Sequence, residues 1–288
     1  MSIDTLQLKI RKLKNPSVID FSVTKEQIPP ALLEQEGTFL KAYERFCREL
    51  IEGLKDIVPA VRFDFKAFVL HGSEGLTLLR TLLELAQKKG YYVLLDGIDS
   101  YSEQAALDAA NTFLDWPCDG LIVGAYAGSD CIKPYAQLAN QKQKSLFVIL
   151  RTPNKSAAEL QDLMTGSRLV HMAKAELISR LGEPLIGKCG YSQLAGTGAA
   201  NAPQVLKTLR SKHDRLFLLV DGYDYSNANA KNCSNAFDRL GHGAVVCAGC
   251  SVTAAWMEAP GPCYDYVEEA ANAAKRMQKN LLRYITIL

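Results

Sequence analysis

Short apolar runs, about the length of buried parallel strands, alternate along this chain with longer segments whose apolar residues recur every three or four positions. The runs cover residues 17–21, 60–65, 92–96, 120–123, 146–151, 184–189, 216–220 and 243–247. Between them, residues 38–57, 75–89, 103–114, 132–141, 157–164 and 202–209 carry the helical period, and a last helix over 266–281 closes the series. Eight strand–helix units predict an α/β fold, a TIM (β/α)8 barrel that takes residues 1–288 as one domain with helices from both chain ends packed on it. The punctuation agrees: Gly90 stops the helix before the third strand, and Asn154-Lys155-Ser156 gives a polar start to the helix after the fifth.

Chemistry in such a barrel gathers at the C-terminal ends of the strands, where loops vary without disturbing the packed interior. The positions to interrogate therefore lie near 20–24, 62–68, 96–101, 124–130, 151–156, 188–198, 221–230 and 247–252. They hold Asp20, Asp64, Lys66, Asp96, Asp99, Lys188, Asp221 and Asp224. Alternation along a strand sets Arg62 and Asp64 on one face, with Lys66 beside them and Asp96 on the next strand. The plainest role for these carboxylates is ion pairing with Arg62, Lys66 and Arg151; convergent oxygens are also the donor set of a divalent cation, and no metal ligand is assigned. Gly196-Thr197-Gly198 is expected to form a loop after the sixth strand, its glycines letting backbone amides approach an anion or merely keeping the loop supple.

Charge narrows the classes of partner. The 33 basic and 31 acidic residues leave a net charge of +2 without a long like-charged run, which argues against nucleic acid and membrane surfaces. No apolar stretch reaches the roughly 20 residues of a membrane span, and the first residues, Met1-Ser-Ile-Asp4, lack the basic and then apolar pattern of a secretory signal. The eight cysteines (47, 118, 131, 189, 233, 247, 250 and 263) are scattered as reduced thiols in a cytoplasmic protein would be. Cys247-Ala-Gly-Cys250 has redox or half-metal-site spacing, yet it ends an apolar run and reads as two small residues packing at a strand end. Adding Cys189 makes three thiols, with no spacing that identifies the fourth ligand of a closed zinc site. His71, His171, His213 and His242 sit in helix or loop contexts and are read as capping or packing groups rather than catalysts.

Several ordered segments carry a family resemblance. They are Pro59-Ala-Val-Arg62, Tyr92-Val-Leu-Leu-Asp96-Gly-Ile98-Asp-Ser-Tyr101, Tyr126-Ala-Gly-Ser-Asp130-Cys-Ile-Lys-Pro134, Arg151-Thr-Pro-Asn154-Lys-Ser156, Gly222-Tyr223 and Gly243-Ala-Val-Val246. In order and spacing the chain resembles the orotidine 5'-phosphate decarboxylases, in particular their longer-chain bacterial branch. The resemblance implies a cofactor-free carboxy-lyase of pyrimidine nucleotide biosynthesis, acting as a dimer on a phosphorylated pyrimidine nucleotide. It implies catalysis by an alternating Lys-Asp-Lys-Asp array, the last Asp supplied by the other subunit.

Mapped onto this chain, the first Lys falls at Arg62 and the first Asp at Asp96, while the second Lys falls at Ile98 and the second Asp at Tyr101. Lys66 is the lysine placed to stand in for the missing one. The ligand-contacting positions implied by the resemblance fall at Ser22, Asp64, Thr152, Asn154, Gly222, Ser226 and Cys250. Ala105 replaces the Thr that follows the array, Pro153 replaces a pyrimidine-contacting Ser, and no Arg occurs between Val245 and Glu258, where the phosphate-binding Arg belongs. The expectation is a decarboxylase-like barrel with little or no activity and a structural or regulatory role, as a homodimer or paired with a competent homologue. The alternatives are an active enzyme with displaced groups and a barrel repurposed around its Asp-rich mouth.

Overall fold

The computed structural model describes residues 1–259 and 265–288. Eight parallel strands close into a barrel in chain order: β1 (Ser17–Asp20), β2 (Ala60–Asp64), β3 (Tyr92–Asp96), β4 (Gly120–Val123), β5 (Ser145–Ile149), β6 (Leu194–Ala199), β7 (Leu218–Asp221) and β8 (Ala244–Ala248). The two-residue period of each strand splits its side chains between two cores. Val18, Ala60, Tyr92, Leu94, Ile122, Phe147, Phe217, Leu219 and Val245 fill the barrel, while Ile19, Val61, Phe63, Val93, Leu95, Val148 and Val246 meet the surrounding helices.

The bottom of the barrel is plugged by the helix Ser2–Leu13, whose Ile3, Leu6 and Ile10 join the interior cluster. Its polar residues satisfy strand-start groups that the plug would otherwise bury unpaired. The Ser2 hydroxyl donates to Asp119 O at 2.8 Å and Gln7 Oε1 accepts from Gly243 N at 3.1 Å, while in return Gln193 Oε1, just before β6, accepts from Ile3 N of the helix at 3.1 Å. The last helix, Tyr266–Leu281, buries Ala270, Ala273, Ala274, Met277 and Leu281 on the outer layer. Among the described residues no helix is long and apolar enough to cross a membrane.

The sixth strand is not the apolar run at 184–189. That segment is a single turn, Glu183–Leu185, followed by a tight loop in which Cys189 N donates to Asp4 Oδ1 at 2.8 Å, so Lys188 and Cys189 lie at the plugged end and away from the mouth. The strand is the small-residue stretch Leu194-Ala-Gly-Thr-Gly-Ala199, where the sequence predicts a loop. A Cβ on Gly196 would meet Leu150, just after β5, at 2.6 Å and Ile178 of the outer helix at 3.3 Å, and one on Gly198 would meet Leu206 at 2.6 Å, so these glycines let neighbouring side chains sit close against the sheet. Residues 157–164 do not form a helix either. They make one short turn (Lys155–Glu159) and lead into a two-stranded hairpin, Met164–Thr165 with Arg168–Leu169; the helix of this unit is Val170–Gly182. The turn is held by the Arg151 guanidinium, which binds both oxygens of Asp162 at 3.1 and 2.9 Å, and by His171, whose Nδ1 meets Gln161 O at 2.9 Å.

Candidate functional site

Strand alternation carries Asp20, Arg62, Asp96 and Asp221 inward at the C-terminal end of the barrel, and the register sets Asp20 beside Arg62 and Asp64 beside Asp96. Arg62 lies at the centre. Its guanidinium reaches Asp20 Oδ2 at 2.5 Å, Asp221 Oδ2 at 3.1 Å and Asp96 Oδ2 at 3.4 Å, with its side chain only 12% exposed. Burial opposes the Arg62 charge, but these carboxylates more than offset it and hold the guanidinium pKa well above its ordinary value. The Nε has no partner among the described residues.

Asp96 is affected in the opposite sense. Burial pushes its carboxyl up to about 7; Arg62 opposes that shift, whereas Asp221 and Asp64 add to it. A carboxyl whose folded pKa exceeds its unfolded value of roughly 3.9 binds its proton more tightly in the fold. The stability it contributes is present at acid pH and is lost as pH rises through the folded value. Asp96→Asn removes that loss, so its stability relative to the parent is expected to be more favourable at pH 8 than at pH 5 by on the order of 2–3 kcal/mol. Urea unfolding at the two pH values measures this, and a difference independent of pH would contradict it.

On the β2–β3 rim, Lys66 Nζ binds Asp99 Oδ2 at 2.8 Å, and Asp99 Oδ1 accepts from Gly124 N at 2.9 Å, tying the β3 loop to the end of β4. The hydrogen bond to Asp99 raises the Lys66 pKa, with Asp64 and Asp96 also favouring its charge. Lys66 does not share the strand face of Arg62. It stands on the short helix Phe65–Val69, which Asp64 caps by accepting from Lys66 N at 2.9 Å. Ser22 is committed to the same edge, its hydroxyl donating to Asp20 Oδ1 at 2.6 Å and accepting from Asp64 N at 3.2 Å.

On the opposite rim, the Asp224 carboxylate occupies the donors of the β8 loop. It accepts from Gly249 N at 2.6 Å, lies 3.7 Å from Cys250 Sγ and accepts from the Ser251 hydroxyl. In TIM barrels the loops after the seventh and eighth strands, with a short helix, often hold phosphate. Here an internal anion fills that position. At the β5 rim, Thr152 and Asn154 bond to each other at 2.5 Å, and Gln161 holds Thr152 at 2.8 Å. Pro153 packs over Gly222, where a Cβ would come within 2.5 Å of its ring, and Asn201 Nδ2 donates to Pro153 O at 2.7 Å.

Of the residues marked in the sequence, the fold gathers Arg62 and Asp96 at the centre, Ser22, Asp64 and Lys66 on one rim, Thr152, Asn154 and Gly222 on another and Cys250 on a third. Ser226 is exposed on the loop after β7. Ile98 is 3% exposed and belongs to the outer core cluster, and Tyr101 is 75% exposed. Cys189, Cys247 and Cys250 do not converge: Cys189 is at the plugged end, Cys247 is buried in the barrel beside Arg62, and Cys250 is at the exposed rim. Burial pushes the Cys247 thiol well above its ordinary value, so it is a packing group and not a poised thiolate. Among the described residues no group of three or more His, Cys, Asp and Glu side chains is arranged to hold a metal ion, and Cys263 lies outside them. Asn201 and Lys174 are not legible as site residues in the sequence, because they depend on the strand Leu194–Ala199 and the helix Val170–Gly182, neither of which the apolar pattern signals.

No family model matches the chain. Curated relatives do: it is 27% identical over 284 residues to a protein named orotidine 5'-phosphate decarboxylase from Clostridium novyi, covering 98% of each chain. It is also 27% identical over 234 residues to the protein of that name from Rhodopirellula baltica, covering 77% of this chain and 78% of that one. Among solved structures, the Plasmodium berghei orotidine 5'-monophosphate decarboxylase superposes with a TM-score of 0.78 at 15% identity, covering 98% of this chain and 99% of that one. The Leishmania donovani OMP decarboxylase superposes with a TM-score of 0.73 at 20% identity, covering 97% and 99%.

Proposed function

We propose that this chain, which aligns over 98% of its length with a protein named orotidine 5'-phosphate decarboxylase, is a cytoplasmic, dimeric barrel related to those enzymes, with little or no decarboxylase activity and kept for a structural or regulatory role. The observation that carries this reading is the closed ion cluster on Arg62, whose one buried positive charge is shared among Asp20, Asp96 and Asp221. Cofactor-free decarboxylation asks the protein to stabilise a carbanion and to deliver a proton to it. Both tasks need a preorganised ammonium that can give up a proton at the reacting carbon. A guanidinium held far above its ordinary pKa is a poor proton donor.

The balance of charge around the mouth supports the same reading. Asp20, Asp64, Asp96, Asp99, Asp221 and Asp224 face Arg62 and Lys66, while Arg151 is taken by Asp162. A phosphorylated, carboxylated nucleotide meets mostly negative potential there.

A second reading rests on one specific observation. Arg62 with Asp96, and Lys66 with Asp99, give cation and anion in alternation, the pattern that the family resemblance asks for, with Lys66 as the displaced ammonium. Loss of orotidine 5'-phosphate absorbance separates the two readings. The expected result is no turnover above buffer for the wild-type protein, together with no calorimetrically measurable binding of the nucleotide product, because Asp224 occupies the phosphate donors of the β8 loop. Efficient turnover sinks the first reading; if Lys66→Ala then lowers it at least about 100-fold, as loss of a proton donor does, Lys66 is the displaced group.

A further inference from the structure

A cavity of about 500 Å³ opens beside the mouth between the β3 and β4 loops and the segment that runs from Leu160 into the helix Val170–Gly182. Its walls are mainly apolar and aromatic, including Tyr101, Tyr126, Ile149, Leu160, Leu163 and Val170, and its volume falls in the range that holds small organic ligands. The amine of Lys174 is the basic group lining it. Its Nζ donates to Ile149 O at 3.2 Å, and among the described residues no carboxylate lies within ion-pair distance of it. The titratable side chains that share the wall are Asp99, Tyr101 and Tyr126, and Asp99 is already bound by Lys66 and Gly124 N.

We propose that Lys174 is a nucleophilic amine that condenses reversibly with the carbonyl carbon of a small aromatic aldehyde seated in this cavity. In the step, the nitrogen lone pair attacks the carbonyl carbon and the C–O π bond opens. The nitrogen then loses both of its protons to that oxygen, which leaves as water as the C=N bond forms. Aldehyde and amine become imine and water, with no change of oxidation state. The lysine has to be neutral to begin, and burial in these apolar walls lowers its pKa to about 8. A solvated lysine stays charged until pH is near 10.4, so at pH 8 the neutral fraction at Lys174 is larger by about 100-fold. The proposal uses neither Arg62 nor Asp96 and is independent of the fate of decarboxylation.

The test is reductive trapping of the full chain with 4-hydroxybenzaldehyde and cyanoborohydride at pH 8, followed by peptide mapping, with the exposed Lys41 and Lys231 as internal controls. The expected result is an adduct at Lys174 that forms at least about 10-fold faster than at the controls, the conservative end of the 100-fold difference in free amine. Millimolar 4-hydroxybenzyl alcohol, which has the ring of the aldehyde without its carbonyl and would compete for the same walls, is expected to slow the Lys174 adduct and leave the controls unchanged. Labelling of Lys174 at or below the rate of Lys231, or labelling that the alcohol does not slow, overturns the proposal. Because the comparison is made within the wild-type protein, it does not depend on whether Lys174→Met folds.

Discussion

Arg62→Met is expected to destabilise the fold by about 3–5 kcal/mol, the cost of leaving buried charge without its counterion. Methionine fills much of the same volume, so the loss reports charge more than cavity. The guanidinium is the shared partner of Asp20, Asp96 and Asp221. Without it, three carboxylates converge inside a barrel whose next interior layer is Leu94, Leu219 and Cys247. Protonation is the remaining relief, and Asp96, already held up to about 7 by burial, takes a proton first. A group with a raised folded pKa contributes stability at low pH that is lost as pH rises through that value. The deficit of Arg62→Met is therefore expected to be smaller at pH 5 than at pH 8. Urea unfolding at both pH values decides it, since a deficit below about 1 kcal/mol would match an exposed ion pair and not a buried one.

Seven of the eight strands are legible in the sequence because β-branched and large apolar residues, such as Val18-Ile19, Val93-Leu94-Leu95 and Val245-Val246, announce a buried parallel strand. The eighth was hidden for a physical reason. Leu194-Ala-Gly-Thr-Gly-Ala199 buries backbone more than side chain, so it lacks the residues that signal a strand, while 184–189 carries Leu185 and Ile186 and imitates one. That displacement moved the mouth by several residues and kept Lys174 out of view.

The centre of the site was more accessible to reasoning from sequence. Two-residue alternation places Arg62 and Asp64 on one face, and a lone arginine among aspartates at strand ends invites ion pairing. Alternation gives the wrong place only for Lys66, where the strand has already turned into a helix. The Asp224 contact with Gly249 and Ser251 was beyond reach, because it joins two loops more than 20 residues apart and no local periodicity reports it.

Ile98→Lys combined with Tyr101→Asp, which rewrites the β3 end toward the pattern the resemblance implies, is expected to cost stability and to confer no decarboxylation. Tyr101 is largely exposed, so its replacement should be nearly neutral; the cost falls on position 98, where Ile98 packs in the outer core cluster. Gly97 takes a positive φ of 85°, and this turn separates the inward Asp96 from Ile98, which joins the helix-facing cluster. A lysine there starts in an apolar layer and either stays neutral or strains the turn to reach the mouth, at about 2–5 kcal/mol for a buried, unpaired amine. Even a lysine that reached the mouth would find Arg62 neutralised by three carboxylates, Pro153 over Gly222, and Asp224 in the β8 loop. Thermal unfolding and the orotidine 5'-phosphate absorbance assay give the two readouts. Turnover by the double variant with unchanged stability would mean that the side chain at position 98 already addresses the site, and that charge there, rather than the closed cluster on Arg62, decides whether the barrel decarboxylates.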